Sequence, residues 1–175
     1  MTPRNLSQLL LLILGIHIIG CNLHNSGKVQ QDRAPIWKYY TSQGEFEEIP
    51  NADCLADNYL NLKHLNLTVR PLLAISKNNR KSQVTISVVR GQFIRSAVGT
   101  TIKVKFDDCK PELYTVIIST DGGGKPTDEA ATILYIENAD RFISWLKKAK
   151  YVTIESEIKD NGNQVIKFYA AGLKW

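Results

Sequence analysis

A chain of 175 residues, with 43% hydrophobic residues and 3 cysteines, is long enough to bury a core without a metal or a dense disulfide framework. Its 22 Lys+Arg against 17 Asp+Glu give a formal charge of +5, but the basic residues are interspersed with acids. That distribution describes a solvated surface, and with no nucleic-acid motif present it excludes a nucleic-acid partner from the expectations.

In chain order, the first predicted element is a leader. Arg4 precedes an apolar run from Leu9 to Ile19, which ends in Ile18-Ile19-Gly20-Cys21. The run is too short for a stable span, which needs about 20 apolar residues, and a small residue before a cysteine suits a signal peptidase. The pattern resembles the lipobox of bacterial lipoprotein precursors. That resemblance implies removal of residues 1–20, acyl chains on Cys21, and attachment to a membrane through that anchor. Asn22 at the next position, in place of Asp, resembles lipoproteins sent to an outer membrane, and implies a periplasm-facing site in the cell envelope.

Residues 21–35 then read as a polar, lipidated tether without apolar periodicity. Trp37, Tyr39 and Tyr40 carry too much apolar area for a linker, so one globular domain is predicted over residues 36–175. Its signals are mostly of period two between turn residues. Strands are predicted at Trp37–Thr41, Ala56–Leu62, Val69–Ser76, Gln83–Arg90, Thr101–Phe106, Tyr114–Ser119, Thr132–Ile136, Tyr151–Ile158 and Val165–Ala170. Glu45, Glu47 and Glu48 fall in an expected connecting loop, and Asn161-Gly162 marks a tight hairpin. One segment has helical spacing: Asn138 can cap it, and Phe142, Ile143, Leu146 and Ala149 form its apolar stripe. The predicted fold is mainly β, an antiparallel β-sandwich-like domain with one amphipathic helix packed on it.

With Cys21 assigned to lipid, Cys54 and Cys109 are the remaining cysteines, and an even pair in an exported chain predicts a disulfide between them. Catalytic chemistry finds less support. His64 is the one histidine of the domain and lies far from Asp107-Asp108, the strongest acidic pair. A small envelope hydrolase centred on Asp107, Asp108 and His64 is the enzymatic alternative, but adjacent strand residues point to opposite faces and a polar turn explains the acids equally well. Alanine at any of the three is expected to cost about 0–1 kcal/mol. Gly124-Lys125 lacks the flanking residues of a phosphate-binding loop, with Ser119 and Pro126 at the two defining positions. No catalytic residue, metal site or cofactor is predicted.

Trp37-Lys38-Tyr39, Gly91-Gln92-Phe93, Phe106-Asp107-Asp108, Leu146-Lys147-Lys148-Ala149-Lys150 and the ending Ala171-Gly172-Leu173-Lys174-Trp175, taken in order, look like a domain of exported bacterial and phage-encoded proteins of uncharacterised function. That resemblance brings no catalytic motif. The expectation is a non-enzymatic lipoprotein domain binding an envelope protein or another envelope component. An alternative is a phage-exclusion or toxin-immunity factor at the envelope.

Overall fold

The computed structural model describes residues 36–78, 80–94, 100–119 and 130–175; Cys21 with the expected leader and tether, and the glycine-rich segment 121–126, lie outside them. The described elements are, in order, β1 Lys38–Gln43, β2 Glu48–Leu55, β3 Leu60–Leu62, β4 Leu67–Val69, β5 Leu72–Asn78, β6 Lys81–Ser87, β7 Phe93–Ile94, β8 Thr100–Phe106, β9 Glu112–Ser119, β10 Ala130–Ala131, β11 Ile133–Ile136, α1 Ala139–Leu146, β12 Tyr151–Ile158 and β13 Gly162–Tyr169. A 3-10 turn, Lys63–Leu65, joins β3 to β4.

Pairing is antiparallel throughout. The main sheet runs β1-β2-β5-β6-β11-β9-β8-β12; β12 also pairs with β13 and, beyond β8, with the short β7–β10 ribbon, while β3 and β4 form a separate hairpin. Alternation along the strands sorts the side chains into cross-strand rows. Cys54, Leu73, Ile86 and Leu134 stand side by side on the inner face, Ala52, Ile75 and Val84 form the next row, and all are fully buried. Val152, Ile154 and Ile158 of β12, with Ile166 and Phe168 of β13, supply the opposing layer.

The two layers are joined where the sheet curls back. Just past β2, the Asp57 N–H donates to the Lys167 carbonyl at 2.6 Å. The Asn58 side chain accepts from the Lys167 N–H and donates to the Val165 carbonyl, both at 2.8 Å. The open edge of β13 is thereby bonded to the chain leaving β2, so the sandwich-like fold is mainly β around one core, with a single helix among the described residues.

That helix forms because Asn138 accepts the Arg141 N–H at 3.2 Å, and because its stripe has something to cover. Phe142, Ile143, Leu146 and Ala149 are buried. The Phe142 ring meets Phe106 edge-on at 5.3 Å and Tyr114 at 5.5 Å, so α1 closes the end of the fold where β8 ends and β9 begins. Each such buried side chain contributes roughly 1.5–3 kcal/mol.

Several sequence expectations are corrected here. Cys54 is a free, buried thiol, so the predicted Cys54–Cys109 disulfide is absent. Cys54 points inward from β2 with its Sγ 3.5 Å from the Tyr169 carbonyl, whereas Cys109 sits in the β8–β9 turn, and β2 is not adjacent to β8 by either route round the curled sheet. The segment expected to loop at Glu48 is instead the start of β2. The strand expected over Ala56–Leu62 is interrupted at Asp57-Asn58, whose polar groups bond across to β13 in place of a regular ladder, and Pro71 similarly separates β4 from β5. The β12–β13 hairpin has three loop residues, and its positive φ values fall at Asp160 and Gly162 rather than at Asn161.

Candidate functional site

The third row of the inner face is polar. Lys77 and Ser82 pair across β5 and β6 one step beyond Ile75 and Val84, and Pro50 lies one step beyond Ala52 on β2. The concave sheet surface thus continues past the core, and where it emerges it changes from aliphatic to charged and hydroxylic. Above it lies the outward flank of α1, with Asp140, Ile143, Ser144 and Lys147 spaced so that they share one face. Trp175 completes the enclosure, giving a groove of about 560 Å³ lined by Pro50, Lys77, Ser82, Asp140, Ile143, Ser144, Lys147 and Trp175. That volume lies in the range of small-molecule sites.

The indole is held there by the opposite end of the described chain. Gly172 takes φ +81°, which turns the chain after β13. The Tyr39 hydroxyl then accepts the Lys174 N–H at 2.7 Å and donates to the Gly172 carbonyl at 3.4 Å. Trp37 adds a buried Nε1–H bond to the Ala170 carbonyl at 3.0 Å. Residues 170–175 are therefore fastened along β1, and Trp175 packs, partly buried, against the edge of the core.

The charged side chains lining the groove are not joined in direct ion pairs. Neither Lys77 nor Lys147 forms an ion pair with a described residue, and Asp140 has none either; the described ion pairs are Arg141 with Glu112 and Lys103 with Glu155, both largely solvent-exposed. Two lysines from different elements, one aspartate and two serines share this open volume with Pro50, Ile143 and Trp175, so its lining is more apolar than polar. Such a lining can hold a polar ring and an anion. It contains no cysteine or histidine.

The residues singled out from the sequence fall elsewhere. Asp107 caps the entry to β12: its carboxylate accepts the Tyr151 N–H at 2.7 Å and the Lys150 N–H at 3.0 and 3.1 Å. Asp108 is exposed in the same turn. His64 is exposed on the 3-10 turn, where the neighbouring Lys63 N–H bonds the Asn161 side chain beyond the far end of β12. A strand of β12's length at about 3.3 Å per residue separates the two places by roughly 25 Å. Asp107, Asp108 and His64 are not brought together.

Cys54 has a different setting from a reactive thiol. Burial, helped by the nearby Asp57 charge, pushes its pKa up to about 12, against the opposing pull of Arg70. Among the aromatics, Trp37, Phe93, Phe106, Phe168 and Tyr169 are buried, whereas Tyr39, Tyr40 and Tyr59 are exposed. Tyr40 donates to Asp53 at 3.0 Å, and burial with that bond raises its pKa. Among the described residues, no cluster of His, Cys, Asp and Glu could hold a metal ion, and no helix is long and apolar enough to cross a membrane.

The groove escaped sequence reasoning, although a signal for it exists. Along Leu73-Ile75-Lys77 and Ser82-Val84-Ile86 the inward parity is aliphatic until the helix-covered end, and a polar residue on that parity marks where the core stops. Comparison with protein-family models, curated proteins and solved structures finds no match for this chain.

Proposed function

We propose that this chain is a lipid-tethered cell-envelope protein whose domain is a non-enzymatic binding module, with the groove beneath α1 as its ligand site. The observation carrying the site is the groove's mixed lining: Lys77, Lys147 and Asp140, with no ion pair among them, border one open volume over the sheet beside Trp175. Sites of this kind place a few polar groups on a preformed surface. The distance between Asp107 and His64 favours binding over hydrolysis, since an active site needs titratable groups converging on one reacting atom. The anchor rests on the lipobox resemblance at Cys21, whose acyl chains bury methylenes at about 0.8 kcal/mol each and hold firmly as a set.

Two variants test the two halves of this reading. Cys21→Ser is expected to leave the precursor uncleaved or released from the membrane fraction; correct processing and membrane recovery of that variant refutes the anchor. Ser144→Trp fills the groove from an exposed helix position. It is expected to preserve the circular dichroism spectrum and melting temperature while abolishing the phenotype that the intact gene confers, and an unchanged phenotype refutes the groove.

A further inference from the structure

The lining of the groove is specific enough to narrow its ligand. Lys77 rises from the sheet and Lys147 stands at the C-cap of α1, so the cations border the volume from two elements, without a described carboxylate paired to either. An anion seated in a groove lined by two lysines from different elements draws on both charges at once. The anion alone does not account for the remainder. Asp140 would repel a naked phosphate or carboxylate, yet it lines the same groove with Ser82 and Ser144. A carboxylate is a pure acceptor, and serine hydroxyls both donate and accept, which is the complement of a polyol. Trp175, fixed through its neighbour Lys174 by the Tyr39 bond, adds a flat apolar surface with a polar edge.

We infer that the groove takes an acidic saccharide: a sugar ring carrying a carboxylate or phosphate, its anion between Lys77 and Lys147, its hydroxyls on Asp140, Ser82 and Ser144, and its apolar ring face against Trp175. This assignment rests on the groove being the binding site proposed above. The volume of about 560 Å³ accommodates one or two sugar rings, and its open mouth lets a longer chain continue into solvent. Lysine suits such a ligand because an ammonium acts as a compact point charge that does not impose the bidentate geometry of arginine. The cations lie near the surface, so they contribute through partial screening, and salt weakens the complex.

Isothermal titration of the full chain, purified in mild detergent, tests this with defined probes: a galacturonic acid trimer, its methyl ester, glucose 1-phosphate, inorganic phosphate and adenosine monophosphate. The trimer or glucose 1-phosphate is expected to bind, with indole fluorescence changing on saturation. The methyl ester is expected to bind at least tenfold more weakly than the trimer if the carboxylate is the anion; inorganic phosphate is expected to bind at least tenfold more weakly than glucose 1-phosphate if the phosphate is. Lys77→Ala and Lys147→Ala should each weaken the preferred sugar severalfold, Asp140→Asn should weaken it without strengthening inorganic phosphate to its level, and Trp175→Ala should remove the fluorescence change. The assignment is overturned if neither acidic sugar binds at millimolar concentration, if ester and acid bind equally where the trimer is the better ligand, or if inorganic phosphate or the nucleotide matches the best sugar. Failure of every probe while Ser144→Trp still loses the phenotype overturns the saccharide alone; retention of the phenotype by that variant overturns the site itself.

Discussion

Asp107 shows how a residue that reads as chemistry can serve architecture. At φ +45° it holds a conformation that few side chains other than Asn and Asp tolerate, and its carboxylate receives N–H groups of both Lys150 and Tyr151. Hydrogen bonds to a charged group contribute about 1.5–3 kcal/mol each, so Asp107→Ala is expected to destabilise by about 2 kcal/mol in urea unfolding, more than the surface-turn value expected from sequence. Asp107→Asn keeps one acceptor oxygen and the local conformation, and should lose about half as much. Cys54 makes a second residue-scale prediction. Its thiol titrates near 9 when unfolded and about 12 in the fold, so the folded state holds its proton over that interval and stability falls as pH rises from about 9 towards 12. The raised pKa values of Tyr40 and Tyr114 add loss in the same direction above their ordinary value of 10. A melting-temperature profile against pH should therefore decline on the alkaline side less steeply in Cys54→Ala than in the native chain, and native Cys54 should resist alkylation until denaturant is added.

At the scale of elements, the helix illustrates what pattern alone can deliver. Asn138, Phe142, Ile143, Leu146 and Ala149 have one regular period and one capping chemistry, and all behave as that period requires. Removing the cap in Asn138→Ala should cost about 1 kcal/mol by equilibrium unfolding. Strand β12 was equally legible because Val152, Ile154 and Ile158 alternate with polar residues. Strand β2 was hidden by its own composition: Pro50, Asn51 and Asp53 are poor strand formers, and its inward residues Ala52 and Cys54 are too small to announce a face. Neighbouring β1 and β5 pull it into the ladder, which is a tertiary cause that no local window contains. The groove was obscured for the same reason. Pro50, Lys77, Asp140 and Trp175 come from four distant stretches, and only the register of β2, β5 and β6 with the placement of α1 makes them neighbours. The disulfide expectation failed likewise, because an even number of cysteines says nothing about which sheet position each occupies.

The whole molecule depends on closing its sheet. Asn58 bonds two backbone groups of β13 and stands in for the strand that the chain does not form there. Asn58→Ala leaves the Val165 carbonyl and the Lys167 N–H without those partners, and is expected to cost about 1–2 kcal/mol. Hydrogen exchange should accelerate at Lys167 while Ile154 and Leu134 keep their protection; equal acceleration across all three would show that the edge is not a separable part of the fold.

The bond from Trp37 to Ala170 spans 133 positions, and the Tyr39 bonds to Gly172 and Lys174 span 133 and 135. Contacts that distant are reached only after a large loss of chain entropy, and topologies rich in them fold in about milliseconds to seconds rather than microseconds. At about 5–20 residues synthesised per second, several seconds separate Trp37 and Tyr39 from residues 170–174, whereas β1 can pair at once with β2, which follows it directly. The bonds that join Trp37 and Tyr39 to residues 170–174 are therefore among the last of the fold to form, and until then the Trp37 ring lacks that cover and is available to any chaperone that holds the nascent chain.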